Sequence, residues 1–167
     1  MPILINTTVL SNLAAVERMD LLDIFQKCYV ASAVYEEIQQ GLAEGYNFLV
    51  HVDAALDNGI VAMVTLETEA ELQRYRAMPH RLHSGEAMSL AIASCRNWRF
   101  LTDDRSARTY ADRLGVPCSG TLGLLVYTVK RGNLTPEAGN TLLSRMIARA
   151  RYRSPVNDLY TLLEKKS

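Results

Sequence analysis

Residues 3–13 have the sequence ILINTTVLSNL, which changes from a strand pattern to a helix pattern within a few positions. The opening ILI is apolar and β-favouring, and it ends at the polar residue Asn6. Two threonines follow, and apolar residues then recur with the spacing of an amphipathic helix. The stretch therefore predicts a short apolar strand that ends at Asn6 and leads directly into a helix.

The same alternation of strand and helix continues along the chain. Four further segments are predicted as strands: CYVAS, IVAMVTL, RFLT and VPCS. The predicted helices include MDLLDIFQKC, ETEAELQRYRAM, the mostly apolar SGEAMSLAIASCRNW, DDRSARTYADRLG and TLGLLVYTVKRG. Ser32 is the predicted N-cap of another helix, which follows CYVAS and ends at Gly41. Strands that alternate with helices predict a parallel sheet covered on both faces by right-handed crossovers.

The length of the chain, 167 residues, is that of one ordinary domain. We therefore predict a single domain over residues 1–167. It should end in C-terminal helices over 135–167, around residues 136–150 and 155–165. Residues 42–83 are the hardest part to interpret, and they are a possible insertion on the basic plan.

Composition excludes several classes of protein. Apolar residues make up 49% and charged residues 22% of the chain, which is too apolar for a disordered protein. No apolar run is long enough to cross a bilayer and no signal-peptide pattern is present, so we expect a cytoplasmic protein without a membrane partner. The cysteines are three, an odd number, and they lie far apart in the sequence: Cys28, Cys95 and Cys118. This pattern predicts buried, reduced thiols. Since 18 basic residues balance 18 acidic ones, any binding of a polyanion must depend on local charge.

Four polar residues are expected at one edge of the predicted sheet: Asn6, Glu37, Glu86 and Asp104. Each follows a strand or stands near the start of a helix, and sites in open parallel sheets form beyond the carboxyl ends of the strands. Helix capping offers a purely structural explanation for most of them. Asn6, Asp103 and Asp104 are natural N-caps. Glu86, in the first turn of its helix, would gain about 0.3–1 kcal/mol from the helix dipole.

Glu37 is less easily explained by capping. Val34 and Ile38 share its side of the helix, so its carboxylate borders the apolar stripe that faces the sheet, whereas Glu36 points to solvent. A carboxylate at the edge of a core needs a partner, which is either a metal ion or an arginine.

Five segments of the chain follow one another in a characteristic order: INTT, VYEEI with Gly41 after it, LHSGEAMSLAIA, LTDDRSAR and SGTLGLL. In this order they resemble the PIN-domain nucleases, which include the VapC-type toxins of bacterial and archaeal toxin–antitoxin pairs. The similarity is closest to a PIN subfamily that shares the LH-x-GE and GTLG segments, and it covers most of the chain. It implies a three-layer α/β/α sandwich with a central parallel sheet of about five strands.

The resemblance also implies a chemistry and the residues that carry it. In such proteins a metal-activated water hydrolyses a phosphodiester bond of RNA, and Mg²⁺ or Mn²⁺ is the cofactor. The matching catalytic positions are Asn6, Glu37, Glu86 and Asp104, of which Asn6, Glu86 and Asp104 would bind the metal ion, and Glu36 is an alternative to Glu37. The accessory residues would be Thr8, Asp103, Ser119 and Thr121.

Asn6 departs from the family pattern, which has a carboxylate at this position. An amide oxygen can bind Mg²⁺ but brings no charge, so metal binding is expected to be weaker and the metal-free fold more stable. Asn6 fits a natural variant with weak activity, an inactive scaffold that binds RNA or a protein partner, or a substitution made to disarm a nuclease.

A basic region lies near the C-terminus: Lys130, Arg131, Arg145, Arg149, Arg151 and Arg153. Of these, Arg145, Arg149 and Arg153 recur every four residues and would line one helix face if the helix continued, which would form a track for RNA phosphates. A solvated helix end explains the same pattern equally well. The resemblance implies an RNA substrate, single-stranded or structured, with a possible antitoxin partner and a possible homodimer.

Overall fold

A parallel sheet of five strands forms the centre of the fold in the computed structural model, which describes residues 1–164. The strands are β1 (Ile3–Ile5), β2 (Cys28–Ala31), β3 (Ala62–Val64), β4 (Arg99–Leu101) and β5 (Cys118–Ser119). They lie in the order β3-β2-β1-β4-β5, and every neighbouring pair is parallel. The chain builds the sheet outward from β1 to β3 and then returns to the other side of β1 with β4. The carboxyl ends of β1 and β4 therefore flank the point where the strand order reverses, which is where sites form in such sheets.

Helices follow the strands and flank the sheet, as the alternation predicted. They are α1 (Thr7–Ala15), α2 (Ser32–Ala43), α3 (Val50–Asp57), α4 (Glu69–Arg76), α5 (Ser84–Arg96), α6 (Arg105–Arg113), α7 (Thr121–Lys130), α8 (Pro136–Arg149) and α9 (Tyr160–Leu163). Two 3₁₀ helices cover Met19–Ile24 and Asn47–Leu49. The predicted α/β fold, with a central parallel sheet of about five strands between helices, is confirmed.

The core lies on both sides of the central strands. Leu4 and Ile5 of β1 have no exposed surface, because strands covered on both faces bury every side chain. Helix α5, whose sequence is apolar nearly all round, is buried along most of its length. All three cysteines are free thiols, of which Cys28 is buried while Cys95 and Cys118 are half-buried.

The segment MDLLDIFQKC differs from its prediction as an α-helix. Only Met19–Ile24 is helical, and it is a 3₁₀ helix. The carbonyl of Lys27 accepts a hydrogen bond from the backbone N–H of Ile3 (3.0 Å), and Cys28 already belongs to β2. Pairing with β1 therefore keeps the end of this segment extended and overrides its helical pattern.

Both predicted boundaries of α2 were wrong. Ala31 is the N-cap, while Ser32 is the first helical residue and donates its hydroxyl to Thr65 Oγ1 (3.1 Å). Helix α2 also continues past Gly41 to Ala43. A Cβ at position 41 would lie 2.5 Å from Leu49 Cδ1, so this glycine permits a close contact and does not end the helix.

Residues 42–83 contain α3, β3 and α4, and β3 is an edge strand of the central sheet. Whether this region is an insertion on the family plan stays a prediction. At the C-terminus, α8 matches the helix predicted around 136–150, whereas the helix predicted over 155–165 is reduced to α9. Residue 165 lies outside the described residues. A helix with the length and apolar character needed to cross a membrane does not occur in residues 1–164.

Candidate functional site

The four predicted catalytic residues gather beyond the carboxyl ends of the strands. Asn6 follows β1, Glu37 lies in the second turn of α2, Glu86 in the first turn of α5, and Asp104 caps α6 after β4. The charges of Asp104 and Glu37 both act on Glu86, and a chain of hydrogen bonds through Thr102 joins Asn6 to Asp104. We call Asn6, Glu37, Glu86 and Asp104 the polar cluster.

Asn6 occupies the N-cap position of α1, but its side chain makes no capping hydrogen bond. Its Nδ2 donates to Thr102 Oγ1 (2.8 Å), and the residue is 1% exposed. Its Oδ1 is buried and has no hydrogen-bond partner among residues 1–164. An unpaired buried acceptor costs about 1–3 kcal/mol, so the capping explanation does not account for this side chain. The orphan oxygen points to an ion or water that would complete the site.

Glu86 is buried, with 5% of its surface exposed. Its Oε2 accepts a hydrogen bond from the backbone N–H of His83 (3.1 Å). Burial raises the pKa of Glu86, and the negative charges of Asp104 and, more weakly, Glu37 raise it further. In the described part of the chain, none of the three carboxylates of the polar cluster forms a salt bridge. No arginine or lysine of the described residues therefore pairs with the negative charge of the cluster.

Both carboxylate oxygens of Glu37 accept hydrogen bonds from the protein. Oε2 accepts from Thr7 Oγ1 (2.5 Å), and Oε1 accepts from the backbone N–H of Gly85 (3.0 Å), which is one of the free donors at the start of α5. A Cβ at position 85 would lie 2.6 Å from Glu37 Oε1, so only glycine leaves room for this contact. Glu36 is exposed. Glu37 therefore ties α2 to the starts of α1 and α5.

Asp104 and Thr102 connect the polar cluster to β4. Asp104 Oδ2 accepts from the backbone N–H of Ala107 (2.8 Å) and so caps α6. The buried Thr102 Oγ1 accepts from both Asn6 Nδ2 and the backbone N–H of Asp104. Thr102 thereby fixes the amide nitrogen of Asn6 and leaves Oδ1 facing the opposite way. Sequence analysis missed Thr102, although a threonine directly after a buried strand was a usable signal.

Three of the four predicted accessory residues form a second group beside the polar cluster. Asp103 Oδ1 accepts from the backbone N–H of Thr121 (2.8 Å), and Oδ2 accepts from Thr121 Oγ1 and from Asn12 Nδ2 (3.1 Å). The N–H of Asp103 donates to Thr8 Oγ1 (3.0 Å). These bonds fix the loop after β4 against α1 and α7. Asn12, a buried residue that sequence analysis missed, links Asp103 to Thr121.

Ser119 is not part of this group. Its hydroxyl packs against Gly123 of α7, where an added Cβ would meet Ser119 Oγ. The side chain lines a separate cavity of about 360 Å³ together with Phe25 and Tyr127. Its accessory role stays a prediction.

The predicted arginine track is divided between two places. Arg145 and Arg149 lie on α8, but the helix ends at Arg149. Arg151 has a φ of 54°, which turns the chain, and Arg153 then lies beside Arg105 of α6. The expectation of one continuous helix face is therefore wrong for Arg153, because the helix does not continue. A role in RNA binding stays a prediction for all three residues of the track.

The donor atoms of the polar cluster fit an open site for a hard divalent cation. Within residues 1–164, no group of three or more His, Cys, Asp and Glu side chains is arranged to hold a metal ion, so a closed cage is not present there. The cluster offers oxygens from Asn6, Glu86 and Asp104 instead. Magnesium is usually bound through one or two carboxylates and keeps several waters, so the orphan Asn6 Oδ1 and the unpaired charge of Glu86 fit such an ion.

Removing the charge of Glu86 is expected to stabilise the metal-free protein. We expect Glu86→Gln to raise the free energy of unfolding by about 0.5–2 kcal/mol, the range usual for single stabilising substitutions. The pKa of Glu86 is raised in the folded state, so its charge destabilises the fold above that pKa, and protonation relieves this as the pH falls. Urea unfolding at several pH values should therefore show the difference between variant and parent shrinking as the pH falls.

Glu71 provides a matched control, because it holds the equivalent third position of α4 and is also buried. Arg96 pairs with it, and the hydrogen bond from Arg96 lowers its pKa. We expect Glu71→Gln to destabilise the fold. Loss of stability on Glu86→Gln, as on Glu71→Gln, would show that Glu86 is not an uncompensated charge.

Glu37 is expected to act on the fold through its two hydrogen bonds. Glu37→Ala leaves the buried N–H of Gly85 without an acceptor, so we expect a loss of about 1–3 kcal/mol in the free energy of unfolding. Glu37→Gln retains an acceptor for that N–H and should lose much less. Glu36→Ala, a change at the exposed neighbour, is the control in the same urea titration and should have no effect. Equal stability of the Glu37→Ala and Glu36→Ala proteins would rule out this positioning role.

Comparison with known proteins adds one finding. A family model described as a PIN domain matches residues 2–165, which is nearly the whole chain. Searches of the curated proteins and of the solved structures gave no match. The predicted resemblance at the level of the family is confirmed, whereas the finer resemblance to VapC-type toxins stays a prediction.

Proposed function

The chain belongs to the PIN-domain family, and on this premise we propose that it is a metal-dependent ribonuclease whose activity Asn6 weakens. PIN domains are generally nucleases, which supports a hydrolase acting on phosphodiester bonds. One observation carries the proposal. Glu86 is buried without a cationic partner, its pKa is raised by burial and by Asp104 and Glu37, and the orphan Oδ1 of Asn6 belongs to the same cluster.

The residues of the polar cluster divide into two roles in this proposal. Asn6 Oδ1, Glu86 and Asp104 would hold Mg²⁺ or Mn²⁺, which when bound supplies the charge that activates a water and stabilises the leaving oxygen. Glu37 fixes the starts of α1 and α5 around them, and Thr102 holds the amide of Asn6 in a single orientation. These positioning bonds would keep the metal-binding oxygens in place before the ion and substrate arrive.

The proposed substrate is RNA, in line with the resemblance to PIN-domain nucleases and with the exposed arginines beside the cluster. A toxin role with an antitoxin partner, and a homodimer, follow from the resemblance alone. A small reading frame next to this one, encoding a DNA-binding or acidic peptide, would support the toxin role.

An inactive scaffold that binds RNA or a protein is the second candidate function. It is favoured by Asn6, which lacks the charge of a carboxylate, and by the absence of a three-carboxylate metal group from the described residues. Both candidates share the same fold and the same polar cluster, so activity separates them.

Cleavage of a labelled single-stranded RNA in Mn²⁺ tests the proposal on three proteins. The parent should cleave the RNA weakly. The Asn6→Asp protein should cleave it at least about tenfold faster, a ratio that corresponds to a free-energy difference of about 1.4 kcal/mol. The double variant Asn6→Asp, Glu86→Gln should be inactive. An inactive Asn6→Asp protein that nevertheless binds Mn²⁺ would favour the scaffold. Cleavage that persists in the double variant would instead point to a contaminating nuclease.

A further inference from the structure

Three arginines from two distant parts of the chain surround one cavity beside the polar cluster. Arg105 and Arg108 lie on α6, and Arg153 lies in the segment after α8. Together with Asp103 and Tyr152 they line a cavity of about 690 Å³, which we call the arginine cavity. Asp103 and Arg105, which both line the cavity, flank Asp104 of the polar cluster in the sequence.

These arginines have no salt-bridge partner in the described part of the chain. All three are exposed. Asp103 is the acidic residue among those that line the cavity, and its single negative charge is smaller than the combined charge of the three arginines. The whole chain has equal numbers of basic and acidic residues, so the arginine cavity is a local concentration of positive charge on a neutral molecule.

A second cavity continues the arginine cavity toward the polar cluster. Its volume is about 330 Å³, and it shares Asp103, Tyr152 and Arg153 with the arginine cavity. It extends to Thr7, the residue that follows Asn6 and donates to Glu37. Burial raises the pKa of Tyr152, so its phenol stays neutral and adds no negative charge between the cavities. A ligand that bound the arginines could therefore extend along one continuous surface as far as Thr7, which adjoins Asn6 in the sequence and donates to Glu37.

We propose that Arg105, Arg108 and Arg153 bind the phosphates of single-stranded RNA and direct the strand across the second cavity to the polar cluster. The class of ligand rests on the proposed function. Guanidinium groups suit phosphates because they present several donors in a fixed plane, and three unpaired ones match a ligand with repeated negative charges. Tyr152 is half-buried and lines both cavities, so the exposed part of its ring favours a single strand, whose unpaired bases can contact an aromatic ring, whereas those of a duplex cannot.

RNA binding without metal tests the proposal independently of cleavage. Fluorescence anisotropy with a labelled single-stranded RNA in EDTA is measured for the parent and for the triple variant Arg105→Ala, Arg108→Ala, Arg153→Ala. The triple variant Arg74→Ala, Arg76→Ala, Arg113→Ala removes the same charge from exposed residues that line neither cavity, and it is the control. Thermal melting shows that each variant is folded.

We expect at least tenfold weaker binding for the first triple variant and little change for the control. The dependence of log affinity on log salt concentration should become shallower by about 2, since each phosphate contact to a single strand contributes about 0.7. The single variant Arg153→Ala should show part of both effects. It replaces the triple variant as the test if the triple variant is unstable.

Equal losses in the two triple variants would overturn the proposal, because they would show that net charge alone matters. Unchanged binding in the first variant would overturn it as well. Binding of an acidic peptide in place of RNA would assign the arginine cavity to a protein partner. If binding depends on the three arginines but Asn6→Asp cleaves no RNA, the proposal stands and the nuclease function fails.

Discussion

Replacing Asn6 with aspartate is expected to raise the affinity for Mg²⁺ at least about tenfold and to lower the Tm of the metal-free protein. Two unit charges about 4 Å apart interact by roughly 4 kcal/mol at an effective dielectric of about 20, which is an upper limit before solvation offsets it. Each 1.4 kcal/mol is a tenfold change in affinity, so even a third of this limit gives the expected increase. Asn6→Asp therefore tests both the metal site and the role of position 6.

The loss of metal-free stability follows from the surroundings of Asn6. The side chain is almost wholly buried, and Thr102 links it to Asp104, whose charge already makes that of Glu86 unfavourable. A new carboxylate there would add repulsion and leave part of its charge without a partner, at a cost of about 1–3 kcal/mol. The fold should nevertheless survive, because Thr102 Oγ1 can donate its hydrogen to the new carboxylate while still accepting from the N–H of Asp104.

Asn12→Asp is the matched control for this experiment. Asn12 is a buried asparagine of α1, the helix that Asn6 precedes, but it bonds to Asp103 and Thr121 outside the polar cluster. Both variants should melt below the parent without metal, and added Mg²⁺ should raise the Tm of Asn6→Asp alone. Calorimetric titration gives the affinities directly. Identical Mg²⁺ affinity for the parent and Asn6→Asp would remove position 6 from any metal site.

Much of the site arrangement could be predicted because it depends on local sequence signals. Asn6 comes directly after the apolar strand β1, and Asp104 comes shortly after β4. Parallel strands bring their carboxyl ends to the same edge of the sheet. Glu86 stands in the first turn of a helix whose apolar sequence shows that it is buried. The periodicity of α2 likewise distinguished Glu37 from the exposed Glu36. These positions follow from the order of strands and helices.

The hydrogen bonds that hold the site together could not be predicted in this way. Thr102 is 96 residues from Asn6, while Asn12 is 91 residues from Asp103 and 109 from Thr121. No local pattern specifies which distant polar group a threonine or asparagine will meet. The position of Arg153 was missed for a different reason. Residues spaced four apart lie on one helix face only while the helix continues. No signal in the arginine-rich segment showed that α8 ends at Arg149.

Replacing Arg96 with methionine is expected to lower the free energy of unfolding by about 3–5 kcal/mol, because it breaks a buried ion pair. Arg96 Nε donates to Glu71 Oε1 (2.6 Å) and Nη2 to Glu71 Oε2 (3.1 Å), and the Glu71 side chain is only 2% exposed. Arg96 Nη2 also donates to the carbonyl of Thr65 (3.1 Å). This contact joins the end of α5 to α4 and to the segment after β3, so the substitution should loosen the region 42–83 first.

The pH dependence of stability distinguishes this ion pair from simple loss of packing. The hydrogen bond from Arg96 is the largest cause of the lowered pKa of Glu71, so the pair stabilises the fold above the ordinary glutamate pKa. That contribution is lost as the pH falls through the lowered pKa, and Arg96→Met should remove the larger part of this acid-side loss, because the backbone N–H groups of Glu67 and Thr68 still donate to Glu71. Arg18→Met is the control, since the Arg18–Asp20 pair is of similar length (2.8 Å against 2.6 Å) but exposed, and such pairs contribute about 0.2–1 kcal/mol. Urea unfolding between acidic and neutral pH measures the free energy of unfolding of both variants. Similar losses for Arg96→Met and Arg18→Met would show that the burial of Glu71 does not make its ion pair stronger than an exposed one.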